Sequence, residues 1–294
     1  MALRSLIEAP DIVVMPGVFD GFSAKVVEAA GYPAALVSGA GLSECHLGVP
    51  DVGLMGLKEN VDATSAIAAC SSLLLVADGD TGYGDAGNVH RTVRALERAG
   101  VAGVMIEDQV WPKRCGHLPG KEVTSAEEMV GKLAAAIEAR TDPSLVIKAR
   151  TDAAGPLGID EAIRRANLYA DAGADLLFAD ALSTEEDIAR FASETAAPVA
   201  VNMGFGIRSR PTTPLVPVPR LAELGVAVVE YPRLLTAAAV RGMQLALAAF
   251  GEAVMSTEVV ERPELLVTFD ELQSLMGLDA ITDLRRRHAV PGAT

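Results

Sequence analysis

Cysteine is scarce in this chain of 294 residues. It contains 3 cysteines, Cys45, Cys70 and Cys115, and none of them forms a CxxC pair. An odd set of thiols without that spacing argues against a disulfide framework and against a zinc cage. We therefore expect a reducing, cytoplasmic compartment.

Basic residues and long apolar runs are also in short supply. The chain has 25 Lys and Arg against 39 Asp and Glu, a formal net charge of -14, which argues against nucleic acid as a partner because phosphate binding needs a basic face. The residues from Met1 to Asp11 carry charges and lack the apolar core of a signal peptide. Arg241 and Gln244 interrupt the Ala- and Leu-rich stretch 234–250, so we expect no membrane span of about 18 apolar residues.

Short apolar runs dominate what remains, since hydrophobic residues make up 50% of the chain. Most of these runs are continuous in Val, Ile, Leu and Ala, the pattern of strands buried on both faces of a parallel sheet. Eight such strands are predicted, at Ile12–Met15, Ala35–Ser38, Leu73–Asp78, Gly103–Glu107, Leu145–Ala149, Leu176–Ala179, Pro198–Asn202 and Ala227–Tyr231.

Amphipathic stretches separate these strands and predict helices between them. Helix starts are predicted at Thr124 or Ser125, at Asp160 and at Ser183. Eight alternating units predict an α/β fold, a (β/α)₈ TIM-type barrel over residues 1–250, with a helical extension over 251–294. A doubly wound sheet is the competing fold, but the Gly-rich nucleotide turn of that fold is not found in the sequence.

Chemically active side chains follow the strands at the edge where TIM barrels carry their active sites. Asp78, Asp80 and Glu107 offer the oxygen ligands that Mg²⁺ prefers, and Mn²⁺ could take its place. Arg150 can bind a carboxylate in a bidentate manner. The remaining candidates are three small residues that could present backbone N–H groups to an oxyanion, Ser38, Gly39 and Ala40, and two polar residues at later strand ends, Asp180 and Asn202.

The segment Lys113-Arg114-Cys115-Gly116-His117 places a thiol, two cations and an imidazole within five residues. Such a setting favours thiolate and proton-transfer chemistry. Taken singly, a cysteine near basic residues is more often inert, and an Asp at a strand end is often only a turn or cap residue. The convergence of these features predicts a metal-assisted enzyme that acts on an anionic substrate.

Several strings, in this order, resemble the isocitrate lyase/phosphoenolpyruvate mutase superfamily, and within it the short-chain 2-methylisocitrate lyase-like members. The resemblance covers about Pro16 to Pro232, and its most specific part is the Lys-Arg-Cys-Gly-His loop after Glu-Asp-Gln. The strings are Ser38-Gly39-Ala40-Gly41, Leu47-Gly48-Val49-Pro50-Asp51, Asp78 to Gly84, Ile106 to Gln109, Lys113 to His117 and Ala149 to Ala153.

The resemblance implies a Mg²⁺-dependent barrel that cleaves a C–C bond in 2-hydroxy di- or tricarboxylates. It also implies a homo-oligomer, usually a dimer of dimers in which a C-terminal helix is swapped between neighbours. By that analogy Asp80 is the nearest metal ligand, with Asp78 and Glu107 acting directly or through water. The analogy assigns the α-keto acid carboxylate to Arg150, Ser38 and Gly39, protonation of the departing enolate to Cys115, and orientation and charge around that cysteine to Lys113, Arg114 and His117.

The chain departs from the family pattern in the part that recognises the rest of the substrate. A Glu usual after the seventh strand is missing, and the segment Gly204–Pro214 carries Arg208 and Arg210 instead. Asp180 replaces a longer Glu, and Leu36 replaces a frequent aromatic residue. A carboxyphosphonoenolpyruvate-type phosphonomutase, an oxaloacetate hydrolase or decarboxylase, and a metabolite-binding protein on an inactivated barrel therefore remain as alternatives to the lyase.

Overall fold

A computed structural model describes residues 2–116, 118–205 and 213–289 of the chain. The chain divides into two compact units, and the boundary in the sequence lies between Thr236 and Ala237. The predicted domain boundary at residue 250 stays a prediction. His117, Arg208 and Arg210, which the sequence singled out, lie outside the described residues.

The first unit is a closed barrel of eight parallel strands in sequential order, β1 to β8. This confirms the predicted (β/α)₈ fold. The strands are β1 Val13–Val18, β2 Ala34–Val37, β3 Leu74–Asp78, β4 Gly103–Glu107, β5 Val146–Thr151, β6 Leu176–Ala179, β7 Val199–Asn202 and β8 Val228–Tyr231.

Helices follow the strands around the barrel, as the sequence predicts. A single turn of π-helix, Ser43–Leu47, follows α3 and was not predicted. The helices are α1 Leu3–Ile7, α2 Gly21–Ala29, α3 Gly39–Leu42, α4 Leu57–Cys70, α5 Ala86–Arg98, α6 Ala126–Ala139, α7 Ala154–Leu157, α8 Ile159–Asp171, α9 Glu185–Glu194, α10 Val218–Glu223, α11 Leu234–Val254, α12 Phe269–Leu275 and α13 Leu278–Arg287.

Alternation along the strands separates two apolar cores. Side chains that point outward from the strands pack beneath the helices in one large cluster, which includes Ile147 and Val229. Side chains that point inward fill the barrel, as Met15, Met105 and Phe178 do. Side chains alternate with period two, so the residues two positions after Val76 and Phe178 also point inward. These residues, Asp78 and Asp180, are polar and lie at the mouth of the barrel, at the carboxyl ends of the strands.

Two helix starts differ from the sequence prediction. Ser125 does cap α6, accepting a hydrogen bond from the N–H of Glu128. Helix α9, however, begins after Thr184 instead of Ser183, with a reciprocal capping box to Asp187. Helix α8 begins after Gly158, whose φ is 89°, instead of at Asp160; the left-handed glycine turns the chain between α7 and α8.

The second unit contains most of α11 and the two terminal helices. Helix α11 spans 21 residues, and its length and apolar composition would allow it to cross a membrane. One such helix is weak evidence for a membrane span, because helices that pack against other protein surfaces pass the same test. The expectation of no membrane therefore stays a prediction.

Candidate active site

The carboxyl ends of the strands bring most of the predicted residues to one small cavity of about 40 Å³. Neighbouring parallel strands end at the same edge of the barrel, so residues far apart in sequence become neighbours there. The cavity is lined by Leu36, Ser38, Ala40, Asp51, Asp78, Met105, Cys115, Gly116, Arg150, Phe178, Asp180, Asn202, Glu230, Pro232 and Arg233.

Acidic residues at the carboxyl ends of β3 and β4 lie close together, and one of them, Asp78, lines this cavity. The N–H of Asp80 donates to Oδ1 of Asp78 at 3.0 Å, and the N–H of Glu107 donates to the carbonyl of Asp80 at 2.9 Å. Asp80 adopts a φ of 48°. These bonds tie the ends of the two strands together and fix the three carboxylates relative to one another.

Burial leaves these carboxylates short of partners. Oδ1 of Asp80 is paired with Lys113 and Oε2 of Glu107 with Arg150, but the second oxygen of each carboxylate has no partner within the described residues, although each residue is only 1% exposed. Burial raises the pKa of Asp80 to about 6 and raises the pKa of Glu107 well above its usual value. Buried acceptors without donors are costly unless a positive group satisfies them.

The donor set fits a hard divalent cation that keeps several of its waters. Among the described residues, no three His, Cys, Asp or Glu side chains converge closely enough to hold an ion entirely by themselves. Mg²⁺ typically takes one or two direct carboxylates and completes its shell with water. Oδ2 of Asp80 and Oε1 of Glu107, which have no partner within the described residues, match that requirement together with Asp78 beside them.

Gly39 allows the second strand to approach this acidic group. A Cβ at position 39 would lie 2.8 Å from Oδ2 of Asp78. Ser38 caps the short helix α3 by accepting from the N–H of Gly41, and its own N–H already donates to the carbonyl of Val18 at 3.1 Å. Of the three predicted oxyanion donors, the Ser38 N–H is therefore occupied, whereas Gly39 and Ala40 lie in the first turn of α3, where N–H groups precede the helical bonds.

Arg150 is held by carboxylates from three strand ends. Its guanidinium donates to both oxygens of Asp152 at 2.8 and 2.9 Å and to Asp180 at 2.7 Å, and it lies 3.2 Å from Glu107. Burial acts to raise the pKa of Asp152, but Arg150 and Lys121 outweigh it and hold that pKa well below its usual range. The bidentate contact fixes the guanidinium plane in one orientation.

Asp108 does not face the cavity, although it follows Glu107 directly. Its carboxylate accepts from the hydroxyls of Thr151 and Tyr169, both at 2.7 Å, from the N–H of Asp152 at 2.8 Å and from Arg165 at 3.1 Å. The residue anchors the end of β5, and so positions Arg150 and Asp152 indirectly.

The loop after β4 presents alternate residues to the site. Lys113 is 3% exposed and lies 2.5 Å from both Asp51 and Asp80. Burial acts to lower the pKa of Lys113, but the carboxylates of Asp80 and Glu107 raise it well above its usual value. Arg114 is exposed, and its guanidinium donates to the carbonyl of Pro119 at 3.4 Å. The structure thus places Lys113 at the site and Arg114 outside it.

Cys115 lies at the cavity wall. Its N–H donates to the carbonyl of Asp51 at 3.0 Å, and Gly116 presses against Asp180 and Arg150 so closely that a Cβ there would overlap the Asp180 carboxylate. The loop is therefore closed over the mouth of the barrel. His117, the last residue of the predicted group, lies outside the described residues.

Two ion pairs at the site were not found by sequence reasoning. Arg233, just after β8, donates to Sγ of Cys115 at 3.5 Å and also contacts Glu44. Lys148 and Glu230 form a buried pair inside the barrel, with Nζ 2.6 and 2.5 Å from the two carboxylate oxygens. Period-two alternation from Arg150 points Lys148 inward and could have indicated that residue, but not its partner.

Known proteins resemble this chain over the part that forms the barrel and its cavity. The family model of phosphoenolpyruvate phosphomutase matches residues 3–250. The chain is 40% identical over 287 residues to the 2,3-dimethylmalate lyase of Eubacterium barkeri, covering 98% of this chain and 97% of that one. It is 41% identical over 278 residues to the 2-methylisocitrate lyase of Aeropyrum pernix, covering 94% and 87%.

Among solved structures, an oxaloacetate acetylhydrolase in complex with the inhibitor 3,3-difluorooxalacetate superimposes with a TM-score of 0.90 at 31% identity, covering 99% of this chain and 97% of that one. These similarities extend the match beyond the motifs to nearly the whole chain.

Proposed function

The chain belongs to the phosphoenolpyruvate mutase/isocitrate lyase superfamily, with relatives named as lyases at 40% identity over nearly its full length, and from this premise we propose that it is a Mg²⁺-dependent carbon–carbon lyase. Its substrate is a 2-hydroxy di- or tricarboxylate of the 2-methylisocitrate or 2,3-dimethylmalate type. The products are an α-keto acid, pyruvate or glyoxylate, and a second carboxylate. The observation that carries the proposal is that Cys115 and Arg150 line one cavity together with strand-end carboxylates.

Asp78, Asp80 and Glu107 would hold the cation. When bound, Mg²⁺ would polarise the substrate oxygens and favour the keto acid. Lys113 adds a positive charge beside Asp80, so part of the acidic charge is balanced within the chain itself. Oδ2 of Asp80 and Oε1 of Glu107, left without a partner within the described residues, support this assignment.

Different residues would bind different parts of the substrate. Arg150, fixed by Asp152 and Asp180, would bind the carboxylate that ends up in the α-keto acid. Gly39 and Ala40 would offer N–H groups to that same end of the molecule. Asn202, whose buried Oδ1 has no hydrogen-bond partner within the described residues, would accept from a substrate hydroxyl.

Cleavage then needs two proton transfers. The C2 hydroxyl gives its proton to one of the carboxylates that line the cavity, and the electron pair left on oxygen forms the keto group as the C2–C3 bond breaks. This leaves the keto acid and an enolate of the second carboxylate. The Cys115 thiol gives its proton to the enolate carbon, and the closed loop keeps bulk water away from that carbanion. Residue 115 is suited to this step because Gly116 lets the loop close against Asp180.

The experiment that tests the proposal is a substrate panel with purified protein and Mg²⁺. The panel holds 2-methylisocitrate, 2,3-dimethylmalate, citramalate, isocitrate, oxaloacetate and phosphonopyruvate. Keto-acid release from the hydroxy acids is followed with a hydrazine reagent, whereas the loss of oxaloacetate and phosphonopyruvate, which are keto acids themselves, is followed by chromatography. Release from a hydroxy acid that disappears in Cys115→Ser and with EDTA supports the lyase. Folded protein with metal bound that acts on none of the hydroxy acids would contradict it.

Two other activities remain candidates because particular similarities favour them. Oxaloacetate hydrolysis or decarboxylation is favoured by the structural match to an oxaloacetate acetylhydrolase. A phosphonomutase reaction is favoured by the family model that matches residues 3–250. The panel separates the three because each acts on a different member of it.

We also propose a cytoplasmic homo-oligomer that has a small anionic carboxylate as its substrate and no nucleic acid as a partner. Three free cysteines are consistent with a reducing compartment. The net charge of -14 disfavours nucleic acid.

A further inference from the structure

We propose that Arg233 is a further catalytic residue: its guanidinium, oriented by Glu44, stabilises the thiolate that Cys115 becomes once it has given up its proton. This inference rests on the proposed function for the role of that thiol in turnover. The charge relation between Arg233, Glu44 and Cys115 can nevertheless be measured without any substrate.

The geometry brings three distant segments together. Arg233 follows the end of β8, Cys115 lies on the loop after β4, and Glu44 lies in the π-helical turn after α3. One terminal nitrogen of Arg233 donates to Sγ of Cys115 at 3.5 Å, while the other contacts Glu44. The two contacts fix the planar guanidinium from both ends, so that it presents a donor to the sulfur.

Within the described residues of the cysteine loop, the two cations are engaged elsewhere. The guanidinium of Arg114 is exposed and contacts Pro119. The Nζ of Lys113 is held between Asp51 and Asp80. The electropositive setting that the sequence predicts for Cys115 is therefore supplied in the structure by Arg233, from the opposite side of the barrel.

The other charged groups around Cys115 make this cation necessary. The cavity that Cys115 lines is also lined by four carboxylates and by Arg150, which is already engaged by three acidic partners. Three of these carboxylates already engage the nearby cations, since Asp51 pairs with Lys113, Asp180 with Arg150 and Glu230 with Lys148. Among the described residues, Arg233 is the cation whose donor reaches the sulfur, so it can balance a new negative charge there, and Glu44 moderates its effect. The four carboxylates belong to Asp51, Asp78, Asp180 and Glu230; His117 lies two residues further along the loop, outside the described residues.

The proton balance is simple. The S–H bond of Cys115 breaks and its proton forms a new C–H bond at the enolate carbon, which leaves the electron pair on sulfur. Arg233 stays protonated throughout and carries no proton. The thiolate regains a proton from solvent after the products leave.

The test measures the pH dependence of iodoacetamide alkylation at Cys115, quantified by mass spectrometry of the peptide that contains it. This separates Cys115 from Cys45 and Cys70. Wild-type protein is compared with Arg233→Gln, Glu44→Gln and the double variant, in the absence of substrate. The midpoint of alkylation should be lowest in Glu44→Gln, then wild type, then the double variant, and highest in Arg233→Gln.

The expected size is a rise of about one pH unit for Arg233→Gln, which slows alkylation about tenfold below the midpoint. Arg233→Lys should restore part of the shift. In turnover, Arg233→Gln should lower kcat with a smaller change in KM. Circular dichroism and thermal unfolding check that each variant folds. If Arg233→Gln does not fold, Glu44→Gln still tests the inference.

Two results would overturn the inference. One is an unchanged alkylation profile in Arg233→Gln with a raised KM, which would make Arg233 a substrate ligand. The other is a shift produced by Arg114→Gln instead of Arg233→Gln. A shifted profile in a protein that acts on no hydroxy acid in the panel would leave the inference on the thiol intact and reject the proposed substrate class.

Discussion

At the scale of single residues, Gly116 controls whether the cysteine loop can close. A Cβ at this position would overlap the carboxylate of Asp180, which Arg150 holds in place. Gly116→Ala should therefore keep the loop open and lower kcat/KM for keto-acid release by about 100-fold, the scale of a misplaced reacting group. Faster tryptic cleavage after Lys113 and Arg114 would report the open loop directly.

Gly131→Ala is the matched control. Gly131 lies within α6, and a Cβ there would meet nothing within 4 Å, so the change should leave kcat/KM unaltered and raise the free energy of unfolding by about 0.5–1 kcal/mol. Full activity together with an unchanged tryptic pattern in Gly116→Ala would show that the loop closes differently.

The Lys148–Glu230 pair is a second residue-scale feature with a measurable consequence. Both side chains are almost fully buried, and Nζ of Lys148 also lies 4.5 Å from the centre of the Phe178 ring. Lys148→Met leaves a buried carboxylate without its partner, which should lower the free energy of unfolding by about 3–5 kcal/mol. Lys148→Met/Glu230→Leu should recover most of that loss.

Urea unfolding at a fixed protein concentration measures both effects. A loss below about 1 kcal/mol in the single variant would mean that Glu230 becomes protonated or finds water at little cost. The same pair lies directly beneath the cavity, since Glu230 also lines it. Substitution of Lys148 or Glu230 therefore tests both the packing inside the barrel and the position of the cavity wall.

Residue-scale prediction from sequence succeeded in placing strand-end groups and failed for pairs between distant segments. Asp78, Glu107 and Arg150 follow directly from strand ends and alternation. The contacts of Arg233 with Cys115 and Glu44 span 118 and 189 residues. No local pattern encodes such pairs, because they depend on barrel closure and on loop conformation. The roles of all these residues stay predictions.

At the scale of elements, the eight strands could be predicted because a short, continuous apolar run between turn residues is typical of a strand buried on both faces. β4 and β6 match the predicted bounds, whereas β5 extends through Arg150 and Thr151. The cap of α9 could not be chosen from the sequence. Ser183 with Glu186 and Thr184 with Asp187 both satisfy the capping pattern, and the path of the chain from β6 decides between them.

A side chain near the end of α2 stabilises the entry to β3. Glu28 accepts from the N–H and the hydroxyl of Ser72 at 2.7 and 2.6 Å and pairs with Lys25. The bonds from Ser72, with a smaller contribution from Lys25, lower the pKa of Glu28 to about 2. Glu97, near the end of α5, binds Thr141 and Asp142 before β5 in the same way.

Glu28→Gln should lower the free energy of unfolding at pH 7 by about 1 kcal/mol, a modest amount because the pair is partly solvated. The folded state holds the ionised form, so this stability is present above the unfolded pKa near 4.5. It is lost as the pH falls towards 2. Urea unfolding at pH 7 and pH 3 should show the difference between variant and wild type shrinking in acid. Glu138→Gln, an exposed change in the last turn of α6, serves as control; a difference that grows in acid would contradict the assignment.

At the scale of the whole molecule, the barrel was predictable because its units repeat. The repetition of the units could not predict what packs against the apolar side chains of the C-terminal region. The resemblance implies a C-terminal helix that is swapped between subunits, but the sequence and structure of one chain do not contain the neighbouring subunit that such a helix would contact. What the structure does show is a second unit with large apolar side chains left exposed, including Met243, Leu247 and Phe250. Apolar exposure of this extent usually marks a contact with another chain or with a membrane.

We expect the protein to form a dimer of dimers in which α11 and the terminal helices contact neighbouring subunits. Leu247 and Phe250 are 69% and 62% exposed, and burying two such side chains in each copy would contribute several kcal/mol, at about 1.5–3 kcal/mol per side chain. Leu247→Glu/Phe250→Glu should therefore shift the mass measured by light scattering after size-exclusion chromatography towards dimers or monomers, whereas Thr257→Glu, also exposed in this unit, should not. A wild-type protein that is monomeric at micromolar concentration, without detergent, would contradict the assembly. If that monomer also bound to lipid vesicles, the hydropathy of α11 would instead indicate a membrane contact.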